Sequence, residues 1–112
     1  ILPGFGRVRR SLPERVRIFR KGEYVAAYSG FEGFSHERLE IDSSLSEFLT
    51  QYSVESVDIV GIAYDHCVRA TALDAVSLGF RTNVLVNYTA AVSAERAWKV
   101  TQELTAAGVV LR

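Results

Sequence analysis

Apolar positions fall in two kinds of run along the chain, and each kind predicts a different element. Val57, Ile59, Val60 and Ile62 form a β-branched run suited to a strand buried on both faces, with Gly61 allowing close backbone approach near its end. Beyond it the apolar residues spread to Val68, Ala72, Ala75 and Val76, the spacing of one helix face, and Gly79 is the residue type that most easily closes a helix. Asp65 is placed to cap that helix, which is expected to start near Cys67. Residues 82–87 repeat the buried-strand pattern, and 88–92 read as the loop at its carboxyl end. Ser93 then caps a helix with Ala97, Val100, Leu104 and Ala107 inward, Gly108 ends it, and 109–111 form a last short strand.

Upstream the pattern is less regular. Residues 1–14 read as loop, with Pro3-Gly4, Gly6 and Ser11-Leu12-Pro13 as turn signals. Val16 and Ile18 alternate with arginines over 15–20, which predicts a strand with one wet face or at a sheet edge, and Lys21 falls at its carboxyl end. Residues 24–34 are aromatic, small and glycine-rich, so they predict a packed loop. Tyr24, Tyr28, Phe31 and Phe34 either plug a core or line an apolar pocket for a flat ligand. Residues 35–40 turn at the surface, carrying His36 among Glu37, Arg38 and Glu40. Ser44 and Glu47 make a capping box ahead of Leu45, Phe48, Leu49 and Tyr52, a short amphipathic helix. Trp98 reads as packing or interface.

From residue 15 onward strands and helices alternate, which implies parallel pairing, right-handed crossovers and a three-layer α/β/α sandwich with a mainly parallel sheet. Ligands in such sheets bind beyond the carboxyl ends of the strands, where both Lys21 and the 63–67 turn fall. The two belong in one crevice if the topology is right.

Composition narrows the class further. With 112 residues, 48% hydrophobic and 23% charged, the chain reads as one soluble globular domain, and no apolar stretch has the length of a membrane span. A lone cysteine offers no internal disulfide, which favours a reducing cytoplasm. The charges balance at 13 basic and 13 acidic, but Arg7, Arg9, Arg10, Arg15, Arg17, Arg20 and Lys21 crowd the start. That start lacks the interleaved aromatics of a nucleic-acid platform, so a solvated or partner-covered face is expected instead. Methionine is absent even at position 1, and the expectation is a fragment. No GxGxxG, Walker-type loop or paired-Cys metal signature occurs.

Chemistry concentrates at the strand-to-helix handover. A thiol at a helix start feels the positive end of the dipole, and Lys21 could supply an ammonium beside it. The amides of Ala63 and Cys67 could bind the oxyanion formed when a thiolate attacks a carbonyl. A small buried hydrophobe is the equally open reading of Cys67. His66 invites a Cys-His dyad, but adjacent residues at a helix start project about a hundred degrees apart, which makes it a pocket group rather than the base.

Residues 61–69, Gly-Ile-Ala-Tyr-Asp-His-Cys-Val-Arg, with Thr71 to Ala75 following, closely resemble the cysteine motif of nicotinamidases (pyrazinamidases) in the isochorismatase-like cysteine hydrolase superfamily. Lys21-Gly22 and residues 24–33 resemble that family's lysine segment, and Leu85-Val86, Thr89-Ala90 and 92–94 its next strand and loop. The resemblance implies an Asp-Lys-Cys triad that hydrolyses nicotinamide to nicotinic acid and ammonia through a thioester. By position it makes Cys67 the nucleophile, Lys21 its stabilising cation, Ala63 with Cys67 the oxyanion hole, Ile62-Ala63 a cis peptide, and Tyr28 and His66 substrate-binding residues.

The departures are as informative. Nothing in the chain matches the family's triad aspartate or its Asp-x-His metal ligands, so the resemblance implies a divalent metal (zinc, iron or manganese) for the intact family member and no metal site in these residues. The expected domain is a single partial one over 1–112, irregular over 1–14, matching over 15–112 and lacking its N-terminal strands, hence inactive and marginally stable alone. A small-molecule amide is the expected partner, with no nucleic acid and no membrane, and with a homo-oligomer left open. The alternatives are a non-catalytic binding or regulatory remnant, or another amidohydrolase of the superfamily.

Overall fold

The computed structural model describes residues 16–22, 27–35 and 43–112. Its order is a 3-10 turn (Gly30–Glu32), β1 (Phe34–Ser35), β2 (Ser43–Ser44), α1 (Leu45–Gln51), β3 (Ser56–Ile62), a π-turn (Tyr64–Val68), α2 (Arg69–Ser77), β4 (Arg81–Ala90), α3 (Ala94–Ala107) and β5 (Val110–Leu111). Strands β3, β4 and β5 form a parallel sheet in that order, so the expected α/β class with a parallel sheet is what the chain adopts. Because the order advances in one direction, right-handed crossovers lay both connecting helices on one face. The core sits there: Val68 just before α2 and Ala72 within it, Val100 and Leu104 of α3, Val84 of β4, and Tyr64 and Val109. Arg69 ties α2 to α3 through two contacts with Glu103, at 2.6 and 2.7 Å.

Both helices close where expected. Gly79 (φ +95°) and Gly108 (φ +97°) take the left-handed conformation that a side chain resists. Ser93 caps α3 by accepting from the Arg96 amide, and Ser44 caps α1 by accepting from the Glu47 amide. Ala107, expected inward, is exposed, as are its neighbours Thr105, Ala106 and Gly108 at the end of α3.

Four expectations are corrected. Strand β3 is not buried on both faces: its exposure alternates, with Ile59 against the core and Val60 (52% exposed) and Ile62 (75%) opposite it, because among the described residues the core helices cover one face of the sheet. Gly61 has no neighbour within 4 Å of an added Cβ; its φ of +120° instead serves the register irregularity between Ile59 and Gly61. Strand β4 runs to Ala90, through the expected loop, because Gly61 and Ile62 pair with Thr89 and Ala90. The described part of the 15–20 strand has no ladder; Arg20 makes one isolated antiparallel bridge to Phe34. The short antiparallel pair β1–β2 was not foreseen.

Candidate active site

The sheet's carboxyl end carries the irregular turn that follows β3. The Ile62–Ala63 peptide is cis, and the amides of His66 and Val68 then both donate to the Ala63 carbonyl, at 3.1 and 3.0 Å. The chain thus widens into a π-turn over Tyr64–Val68 before α2 begins, where an ordinary helix start was expected. Widening adds a residue to the turn, and Tyr64, Asp65 and Val68 use it to point inward while Cys67 stays half-buried.

Asp65 is not the cap of its own helix. Its buried carboxylate accepts from the amides of Val92 (3.0 Å) and Ser93 (3.1 Å), so it fastens the β4–α3 loop to the turn. The Val92 amide, against the opposing effect of burial and with help from Ser93, holds this carboxyl below the usual aspartate range.

Lys21 reaches the turn from far upstream. Its Nζ donates to Cys67 Sγ at 3.2 Å and also to the Tyr28 carbonyl. An ammonium at that distance can pair with a thiolate, the form in which sulfur is nucleophilic. The Tyr28 carbonyl is held in turn by a feature that sequence reading missed: Glu32 accepts from the Tyr28 and Ser29 amides at 3.0 and 2.9 Å, and Ser29 Oγ accepts from Phe31, a capping box on a single turn. Thr71 was missed as well. Its hydroxyl accepts from the Gly30 amide (2.8 Å) and donates to the Cys67 carbonyl (2.7 Å), clamping that box onto the turn that carries Cys67. The spacing of Ser29 and Glu32 was a readable signal; Thr71 stood within the cysteine motif, but nothing in the sequence marked its clamping role.

The remaining candidates gather around these two. Tyr28 and His66 stack, with centroids 6.0 Å apart and planes 24° apart. Tyr28 (60% exposed) and Phe34 (47%) are therefore not a core plug, whereas Phe31 stacks on Phe80. Ala63 is buried beside the turn. Tyr24 and His36 lie outside the described residues. Among the described residues no group of three or more His, Cys, Asp or Glu could hold a metal ion, and the donors around Cys67 do not fit one.

At the carboxyl end of a parallel strand, a widened turn thus holds a cysteine in contact with a distant lysine, and similarity to known proteins assigns the family. The Isochorismatase domain family model matches residues 14–112, and the chain belongs to that family. It is similar to the nicotinamidase/pyrazinamidase of Mycobacterium tuberculosis, with 49% identity over 94 residues, 84% of this chain and 48% of the relative. Among solved structures it is similar to PnC1 from L. infantum in complex with nicotinate (TM-score 0.70, 36% identity, 84% of this chain and 46% of that one). The pyrazinamidase of Pyrococcus horikoshii in complex with zinc also superposes (TM-score 0.65, 31% identity, 78% and 44%). The chain spans about half the length of the curated relative it matches (48%).

Proposed function

We propose that the protein hydrolyses nicotinamide, and pyrazinamide-like amides, to the corresponding acid and ammonia. The observation that carries this is the Lys21 Nζ to Cys67 Sγ contact of 3.2 Å at the carboxyl end of the sheet. The Cys67 thiolate, paired with Lys21, attacks the carboxamide carbon and forms a C–S bond. The resulting oxyanion is stabilised by the amides of Ala63 and Cys67. Collapse breaks the C–N bond and releases ammonia; water then cleaves the thioester, giving nicotinic acid and restoring sulfur. Protons delivered to the amine and taken from water pass through a general base that these residues do not include, the role the resemblance gives to an aspartate. Tyr28 and His66 bind the ring.

The zinc-bound relative supports a divalent metal in the whole protein, of zinc, iron or manganese, with ligands beyond the described residues. No step above runs through it. Release of nicotinic acid fits a cytoplasmic role in NAD salvage.

The test is ammonia release from nicotinamide by the longest reading frame that contains this chain, with Cys67→Ala as control. Loss of about a thousandfold or more in rate is expected for removal of a covalent nucleophile. Unchanged release would overturn the assignment.

A further inference from the structure

Two charged groups make opposite demands on one atom of His66. A guanidinium nitrogen of Arg96 lies 2.6 Å from Nε2, and Oδ2 of Asp65 lies 3.9 Å from the same atom. Guanidinium has only donors, so the short contact requires a lone pair on Nε2 and places the proton of the neutral ring on Nδ1. Asp65 would favour the reverse, an Nε2–H, but its oxygens already accept from the Val92 and Ser93 amides. Arg96 is well founded for this task. It stands in the first turn of α3 with its amide bound to Ser93 Oγ at 3.2 Å, so the side chain springs from a capped backbone. The ring it holds stacks on Tyr28, whose carbonyl receives Lys21, the partner of Cys67.

We propose that Arg96 is a positioning residue that acts through His66. It fixes the imidazole as the neutral Nδ1–H tautomer, flat against Tyr28. His66 then has no lone pair left to serve as base for the neighbouring thiol, and it is not a second cation competing with Lys21 for the sulfur. This explains why a Cys-His neighbour pair sits at the site without forming a dyad. Its catalytic meaning rests on the amidase reading, but the tautomer belongs to the resting chain.

Long-range proton–nitrogen correlation spectra of the purified chain near neutral pH read the tautomer directly, with His36→Gln to assign the His66 signals. The Nδ1–H form is expected to exceed the Nε2–H form by more than about tenfold, the factor that one hydrogen bond to a charged group supplies. Arg96→Met should move the proton to Nε2, 3.9 Å from the Asp65 carboxylate, and Arg96→Lys should restore Nδ1–H. Arg96 is exposed, so these variants are expected to fold; should Arg96→Met fail to, the unaltered chain and the Lys variant decide. An Nε2–H ring in the unaltered chain, or one tautomer regardless of residue 96, overturns the proposal. The amidase reading fails separately: a confirmed Nδ1–H ring with no nicotinamide hydrolysis would sink that reading and leave the Arg96 assignment standing.

Discussion

Helices α2 and α3 both follow the carboxyl end of a strand in the same parallel sheet, yet they begin in different ways. At α3 the chain is extended at Ser93 (φ −130°), whose hydroxyl accepts from the Arg96 amide while its carbonyl accepts from Ala97 at 2.9 Å. At α2 the residue before the helix, Val68, is itself helical (φ −64°), no side chain caps the start, and a π-turn precedes it. The first start is satisfied by its own residues. The second is satisfied from elsewhere: Thr71 joins it to Gly30, Tyr64 meets Thr101 at 2.7 Å, and Asp65 lends its carboxylate to the loop before α3. A start that needs distant partners is a poor helix nucleus and a good positioning device. It is the one that carries the cysteine.

If that contrast is right, the largest loss of stability should come from Asp65, the group through which the two starts depend on each other. Asp65→Ala strands the amides of Val92 and Ser93. It should lower the urea midpoint more than either substitution below, and hydrogen exchange at those two amides should accelerate before exchange in the rest of α3. The acid response has a definite sign. The folded carboxyl is held below its ordinary value, so the folded chain binds fewer protons than the unfolded one. Its contribution is complete above the unfolded carboxyl value, about 3.9, and fades as pH falls from there toward the lower folded value. A urea midpoint that rises on acidification through this range, in the unaltered chain relative to Asp65→Ala, would break the link.

Thr71→Val comes next. It removes the acceptor for the Gly30 amide and the donor to the Cys67 carbonyl, and stranding such part-buried groups costs about 1–3 kcal/mol. Chemical denaturation should read that loss, and exchange at Gly30 should rise with it; a neutral substitution would mean the two segments are held together by other contacts. Thr71 also shows where sequence reading reaches its limit. Gly79, Gly108 and Ser93 were legible because closing and capping are settled within a few residues of each. Lys21 and Cys67, 46 residues apart, were legible because the resemblance named both; the strand end expected at Lys21 is only an isolated bridge at Arg20. Asp65 was misread because a capping rule looks three residues ahead, whereas its acceptor role is met 27 and 28 residues on. The β3 run was misread because apolar residues record what a strand can bury, not which of its faces is covered here. The π-turn has no residue signature at all: its geometry follows from a carbonyl, that of Ala63, shared by two amides.

Ser93→Ala should give the smallest effect, and it sharpens the comparison most cleanly. The hydroxyl serves one amide, so its removal costs about 1 kcal/mol, the usual value for an N-cap. The Ser93 amide is untouched by the substitution and continues to donate to Asp65. The first turn of α3 should therefore fray locally, with exchange rising at Arg96, while the Asp65 contacts and the turn around Cys67 keep their protection. Ser93→Asp, another good cap, should recover most of the loss. If instead Ser93→Ala also releases the amides of His66 and Val68 that share the Ala63 carbonyl, the regular start would be supporting the irregular one. The dependence would then run in both directions, and α3 would count as part of the positioning device and not only as its neighbour.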